Sequence, residues 1–440
     1  MLIQKFGGTS VGSAERIKNL VPLVTGEESR IVVLSAMSGT TNSLVEISEA
    51  LYANDKKKAT QLIDVLNNKY IEVINALYSK KESLEKAQDL IRNHFEYLKN
   101  FTLDMFTNNE ERAVLAQGEL LSTAMFHYYL EEIGVNSVLL PALNFMRINA
   151  DEEPDMEYIE ENLIKELSEH KDCKLFITQG YICRNAFGEI DNLKRGGSDY
   201  TASIVGAAIR ASEVQIWTDI DGMHNNDPRV VSKTHPVKEL SFDEAAELAY
   251  FGAKILHPTC ILPAKKRNIP VRLKNTMQPE AGGTLIANIN AEEGIKAIAA
   301  KDGITAINIK SARMLLAYGF LRAVFEIFER YKTPIDMITT SEVAVSLTID
   351  NNSHLKDILK ELEEIAQVKI EENMSIISIV GQLPKERPGY ASKIMDALKE
   401  VPLKMVSYGG SDNNISLLVE GSVKSAALKA LNKGLFNYAE

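Results

Sequence analysis

From about residue 303 onward the chain matches itself at an offset of 70 residues, and a repeat of that length confines the tail to two copies of one small module. Ile307 and Ile309 fall on Ile377 and Ile379, and Gly319 falls on Gly389. The helical stripe Phe320, Val324, Phe328 falls on Tyr390, Ile394, Leu398, while Ser341, Ser346 and Leu347 meet Ser411, Ser416 and Leu417. Each copy reads strand, glycine turn, amphipathic helix, strand, strand. Two small α+β modules over 303–371 and 372–440 are therefore expected; the unit is too long and too seldom repeated for a solenoid.

The preceding 300 residues follow another rhythm. Short apolar runs at Leu2 to Phe6, Ile31 to Ser35, Leu175 to Thr178 and Val214 to Thr218 each lead into small polar residues. Strands alternating with helical stretches predict an α/β architecture with an open, mostly parallel sheet. Between about Thr41 and Gly134 the pattern is almost wholly helical, with Lys/Glu-rich faces, which predicts a helical insertion beside the sheet. Ser241 with Glu244 forms an S-x-x-E box that should open a helix over Phe242 to Phe251, ended by Gly252. The Pro/Gly-rich segment Pro279 to Gly283 and the run Thr284 to Asn288 read as the last turn and strand before a linker. The first domain is thus expected over 1–295, and a chain of 440 residues is long enough for two or three domains.

Charge and cysteine content exclude several classes. The 49 basic residues against 60 acidic ones give a net charge of −11, with no long basic run, which argues against a nucleic-acid partner. Three widely spaced cysteines, Cys173, Cys183 and Cys260, suggest neither a disulfide framework nor a zinc site, and fit a reducing compartment. Lys5 and two glycines stand where a secretory signal would need an apolar core, and no apolar run approaches a membrane span. A cytoplasmic protein without a membrane partner is expected.

Three clusters could carry chemistry. In KFGGTS, Lys5 to Ser10, paired glycines between a strand and a helix let backbone N–H groups approach an anion, and Lys5 supplies a point charge for a transferring phosphoryl group. Lysine precedes the glycines, and neither a G-x-x-x-x-G-K-[ST] loop nor a G-x-G-x-x-G fingerprint occurs. In RGGSD, Arg195 to Asp199, a second glycine pair opens a helix. Arg195 could fork a carboxylate, Ser198 could donate a hydroxyl, and Asp199 could orient Lys5 or a metal. In WTDIDG, Trp217 to Gly222, Thr218 and Asp219 close a strand where open sheets bind ligands, and Arg229 follows as a candidate for nucleotide phosphates. Glu119, among apolar neighbours on a helix, could hold an amino group. Each cluster alone also reads as ordinary structure: a tight turn, a capped helix, a polar turn, a solvated glutamate.

Together and in this order, KFGGTSVGS, VVLSAMSGTTN (Val32 to Asn42), QGEL (Gln117 to Leu120), RGGSDYTA, WTDIDG, DPRVV and FGAKILHP (Phe251 to Pro258) resemble the aspartokinases of the amino acid kinase family over nearly the whole chain. The resemblance implies an amino-acid-kinase-like sheet between helices, followed by two ACT-like domains. It implies transfer of a phosphoryl group from ATP, with Mg2+, to the side-chain carboxylate of L-aspartate, giving 4-phospho-L-aspartate, the opening step toward lysine, threonine and methionine. Residue by residue it implies that Lys5, Gly7 and Gly8 cradle phosphates and Asp199 organises the phosphoryl site. Ser38, Thr41, Glu119, Arg195 and Ser198 would hold aspartate; Thr218, Asp219, Arg229 and Lys254 would hold the nucleotide.

The tail resembles the lysine-inhibited branch of that family. The resemblance places an amino-acid effector, lysine first among candidates and threonine the alternative, against Met314, Phe320, Leu321, Asp336, Ser341, Glu342 and Val343. Asp336 and Glu342 suit a cationic ligand. Such domains pair between subunits, so a homodimer or homotetramer is implied. His224 stands where related enzymes often carry an aromatic residue against adenine, and Pro334 where a serine is common. A monofunctional enzyme is expected, since no dinucleotide fingerprint or dehydrogenase portion is seen. The competing readings are a kinase of this fold acting on glutamate or N-acetylglutamate, and a non-catalytic amino-acid sensor.

Overall fold

A computed structural model describes residues 1–103, 105–193, 196–252, 256–289, 292–311 and 318–437. The chain forms two compact units. The first comprises Met1–Gly222 and Leu256–Asn288, the second Met223–Ile255 and Ile289–Glu440.

In the first unit the four apolar runs become the parallel strands β1 (Leu2–Phe6), β2 (Arg30–Leu34), β4 (Leu175–Gln179) and β7 (Glu213–Thr218), joined by β3 (Val138–Leu140), β9 (Val271–Asn275) and the antiparallel β10 (Thr284–Ala287). Their order is β3-β4-β2-β1-β7-β9-β10. A hairpin of β5 (Ile182–Arg184) and β6 (Ile190–Asn192) stands apart. Helix α1 (Ala14–Val24) follows β1, and the expected helical insertion is four helices, α2 (Thr40–Tyr52), α3 (Lys56–Leu77), α4 (Lys81–Asn100) and α5 (Asn108–Glu132). They cover one sheet face: Phe6, Val32, Leu34 and Trp217 share a buried cluster with Ile17, Ile63, Tyr70, Phe95 and Phe126.

Side chains alternate between the faces of a strand, so Ile3 and Lys5 share the face opposite Phe6. Helix α8 (Gly197–Ala208) lies on that face, with Ile3 3.6 Å from where a Cβ on its Gly206 would stand. Short helices α6 (Ala142–Phe145) and α10 (Leu262–Lys266) and the longer α7 (Met156–Ser168) complete the unit. The sequence departs from β1 toward β2 on one side and returns to β7 on the other. The carboxyl ends of these three strands therefore form the switch point where open α/β sheets bind ligands.

The second unit begins with β8 (Glu239–Ser241) and α9 (Phe242–Tyr250), whose capping box is formed as the sequence predicts: Ser241 Oγ accepts from Glu244 N at 3.2 Å, and Glu244 Oε2 accepts from Ser241 N at 2.7 Å. The tail is one six-stranded sheet ordered β12-β13-β11-β14-β16-β15, comprising β11 (Gly294–Lys310), β12 (Ile338–Thr340), β13 (Ala344–Ile349), β14 (Gln367–Gln382), β15 (Met405–Ser407) and β16 (Asn414–Glu420). Helices α11 (Phe320–Arg330), α12 (Leu355–Ile365), α13 (Tyr390–Ala397) and α14 (Lys424–Phe436) pack against it. The repeat is visible atom by atom. Gly319 and Gly389 both open their helices in the left-handed region, at φ +92° and +106°. Ser346 Oγ donates to Asn308, and at the equivalent positions Ser416 Oγ meets Ser378.

Two expectations about boundaries differ from the structure. Residues 223–255 group with the tail rather than with a continuous 1–295 domain. The limits at 295, 303 and 371/372 fall inside strands: the first half of β11 (Gly294 to Lys301) pairs with the second half of β14, and its second half (Ile304 to Lys310) pairs with the first half of β14. Each module thus borrows a strand from the segment that begins the other, a closure that 70-residue periodicity does not encode.

Because β11 and β14 run through both modules, damage to one should reach the other. Phe328 is 2% exposed in the first module's core, with Val324, Leu347 and Ile358. Phe328→Ala is expected to cost about 3–5 kcal/mol. Hydrogen exchange should then show lost protection at Ile377 and Ile379 as well as at Ile307 and Ile309; loss confined to the first module would mean the two fold independently.

Candidate active site

The alternation of β1 aims Lys5 toward the start of α8. The turn before α8 places Gly196 in the left-handed region at φ +71°, and a Cβ there would overlap Cys260 Sγ, so only glycine fits. That turn sets Asp199 in the first helical turn, where its carboxylate meets Lys5: Nζ and Oδ1 are 2.8 Å apart, with the side chains 12% and 16% exposed. Two glycine turns almost 200 residues apart in sequence therefore converge on one ion pair. Arg195 lies outside the described residues, as do Lys254 and Met314.

The first glycine turn is held on both sides. Gly7 N donates to Trp217 O at 3.4 Å, joining it to the end of β7. Gly8 O accepts from Ser38 N at 3.1 Å, and a Cβ on Gly8 would lie 2.8 Å from Ala36 O, so the β2–α2 loop approaches as closely as a bare backbone allows. Ser13 caps α1 by accepting from Arg16 N. Thr276, which no sequence pattern singled out, ties the neighbouring loops: its N–H donates to Thr218 O at 2.8 Å, and its hydroxyl meets Ser10 Oγ at 2.9 Å. Thr218 Oγ1 donates to Asp219 Oδ1 at 3.1 Å.

Glu119 is a buried carboxylate, 4% exposed, on α5. Its Oε1 accepts from Ala36 N at 3.1 Å. Burial pushes its pKa up to about 7, against the stabilising backbone hydrogen bonds and the attraction of the Lys5 ammonium. Ser198 is buried beside Gly180, and Ser38 and Thr41 are exposed at the start of α2. It is the adjacent Thr40 that is buried, with its hydroxyl 3.1 Å from Tyr70 OH. Arg229 lies in the second unit, where its guanidinium forks the Asp227 carboxylate at 2.9 and 2.8 Å.

The effector candidates are also in the second unit. Phe320 is partly buried, Leu321, Ser341 and Glu342 are exposed, and the Val343 carbonyl accepts from Ser311 N. Asp336 is already engaged: Lys301 Nζ is 2.9 Å and Tyr250 OH 2.8 Å from its Oδ1, and Lys301 also pairs with Asp350 at 2.8 Å. Its Oδ2 is buried without a hydrogen-bond partner among the described residues.

A parallel sheet with phosphate-type turns at its switch point and a lysine–aspartate pair between them defines a phosphoryl-transfer class of protein. The chain belongs to the amino acid kinase family, which matches residues 1–275, and an ACT domain is matched over residues 377–435. Within that family, aspartokinases are among its full-length relatives. Lysine-sensitive aspartokinase 3 of Escherichia coli is 33% identical over 460 residues, covering 99% of each chain. The crystal structure of E. coli aspartokinase III in complex with aspartate and ADP, in the R-state, has a TM-score of 0.85 over 99% of this chain and 100% of that one, at 33% identity. The T-state structure of the same enzyme with lysine and aspartate has a TM-score of 0.82 over 99% of each chain, also at 33% identity.

The raised pKa of Glu119 has a definite sign in stability. A carboxyl that ionises near 4.5 when unfolded and near 7 when folded binds its proton more tightly in the native state, so stability falls as pH rises between those values. Glu119→Gln should remove that slope and raise ligand-free stability at pH 8 by on the order of 3 kcal/mol. Urea denaturation at pH 5 and pH 8 checks it; an unchanged slope would show that Glu119 is not the titrating group.

Proposed function

We propose that this chain is an aspartate kinase that transfers the γ-phosphoryl group of ATP to the side-chain carboxylate of L-aspartate, forming 4-phospho-L-aspartate and ADP. The observation that carries the reading is the Lys5–Asp199 pair between two glycine turns at the switch point. A carboxylate oxygen attacks the γ-phosphorus as the bond to the β,γ-bridging oxygen breaks. The nucleophile is already ionised at neutral pH, so no base has to remove a proton, and positioning with charge neutralisation carries the rate.

Lys5 and the Gly7–Gly8 turn face the phosphates in this reading, with the Gly8 N–H as the donor, since the Gly7 N–H is held by Trp217 O. Ser38, Thr41, Arg195 and Ser198 hold the aspartate carboxylates, and Glu119 holds its ammonium. Thr218, Asp219, Arg229 and Lys254 are assigned to the nucleotide by family resemblance. Mg2+ would neutralise charge on the nucleotide phosphates, and Asp199 is the carboxylate suited to it, since one carboxylate plus substrate phosphates is a common way to hold that ion. None of the three cysteines is in a disulfide, and among the described residues no helix is long and apolar enough to cross a membrane. The unbridged thiols support a reducing, cytoplasmic location.

The ACT-like tail is assigned to feedback by an amino acid, lysine first, with a homodimer or homotetramer formed through these domains. A lysine ligand would use exposed Glu342, and would reach Asp336 by competing with Lys301 or by supplying a donor to Asp336 Oδ2.

Trapping the acyl phosphate with hydroxylamine, with aspartate and glutamate in parallel, tests the substrate. Product from aspartate is expected; product from glutamate alone would assign a sister kinase, and nucleotide binding without turnover would assign a sensor. Lys5→Ala should lower kcat by about 100-fold or more. The KM for aspartate should rise as pH falls below about 7, where Glu119 takes up a proton and loses its hold on the ammonium. In the same assay millimolar lysine should inhibit, and Glu342→Ala should weaken that inhibition by about 10-fold while leaving uninhibited turnover intact. Equal sensitivity in the variant would remove Glu342 from the effector site.

A further inference from the structure

We propose that Lys69 is a positioning residue for phosphoryl transfer, a cation delivered by the helical insertion that fixes the Ser38–Thr40 turn against the first glycine turn and readies it for an anionic substrate. This rests on the aspartate kinase reading above.

Lys69 and Tyr70 are consecutive on α3, and both reach the turn that opens α2. Lys69 Nζ donates to Ser38 O at 2.6 Å. Tyr70, fully buried against Phe95 at 5.7 Å between ring centroids, places its hydroxyl 3.1 Å from Thr40 Oγ1. Between them, Gly39 adopts the left-handed conformation at φ +80°, and Lys69 Nζ stands 3.5 Å from where its Cβ would be. Two adjacent side chains thus grip residues 38 and 40 from either side of a glycine. The grip extends to the phosphate loop, because Ser38 N donates to Gly8 O at 3.1 Å. A shift of Ser38 would move both its own hydroxyl and the Gly8 backbone.

The charge of Lys69 distinguishes it from a simple cap. A carbonyl offers only a partial negative charge, and among the described residues Lys69 has no carboxylate within 4 Å. Its pKa is lowered by burial, with no nearby charge among the causes. Lys5, by contrast, is neutralised by Asp199. A partly desolvated, uncompensated ammonium is a cost in the ligand-free protein that an arriving anion would offset. A neutral glutamine, one bond shorter, keeps a donor at this position without that charge.

The test compares Lys69→Met, Lys69→Gln and Lys69→Arg in the full chain, by steady-state kinetics with hydroxylamine trapping and by calorimetric titration of aspartate in the presence of Mg2+–ADP. Lys69→Met and Lys69→Gln are expected to raise the KM and Kd for aspartate by about 10-fold, with kcat within about 3-fold of the unaltered chain and Tm shifted by no more than a few degrees, while Lys69→Arg restores both constants to within about 3-fold. Wild-type KM and Kd in Lys69→Gln would overturn the proposal, as would losses in Lys69→Arg equal to those in Lys69→Met. Absence of acyl phosphate from the unaltered chain would instead sink the kinase reading, and the calorimetric constants would still read the effect of Lys69.

Discussion

An ammonium and a carboxylate 2.8 Å apart, each less than a fifth exposed, hold β1 to the first turn of α8. Their mutual attraction is screened less by water than that of a surface pair, yet each loses hydration, so the pair is stable only while both partners are present. That condition explains much of the surrounding architecture. The parallel register of β1 with β2 and β7 sets the level of Lys5, with Lys5 opposite Val33 and Ile216. The close approach of Gly196 to Cys260 sets the level of Asp199. Glu119, a carboxylate more deeply buried than Asp199, is tempered by the Ala36 N–H and by Lys5 itself. The result is a site in which the charge of Lys5 is matched by Asp199 before any substrate arrives, so little reorganisation of that pair is needed during the reaction.

What could be read from the sequence follows the range of the forces involved. Strands β1, β2, β4 and β7 were legible within a residue or so because continuous apolar runs mark buried parallel strands. The α9 capping box and the two glycine turns were legible because they are local chemistry. Lys5, Asp199 and Glu119 were singled out as candidates from their residue types and neighbours. Their convergence, by contrast, depends on strand order, which no local pattern states. Thr276 and Tyr70 escaped for the same reason: Thr276 meets Ser10 across 266 residues, and Tyr70 reads as one more apolar position on a helix.

In the tail the 70-residue period was plain, yet the pairing was not. Repeats report that two segments adopt the same local structure; they do not report which strand each one pairs with. Here β11 and β14 are 17 and 16 residues long, and each serves both modules, so the modules share one continuous sheet instead of meeting as separate bodies. Asp336 illustrates a related limit. Its acidity suits a cationic ligand, but Lys301, only 35 residues upstream, already occupies one of its oxygens. Any cationic effector drawn to Asp336 meets an internal competitor.

The central claim is that Lys5 and Asp199 act as one unit, and a double-mutant cycle measures that directly. Acyl-phosphate formation would be compared in Lys5→Ala, Asp199→Ala and the double variant, with folding verified for each. If the pair is a unit, the double variant should lose about as much kcat/KM as the worse single variant, because removing either partner already disables the other. Losses that multiply independently would contradict the account and separate the two residues into unrelated roles.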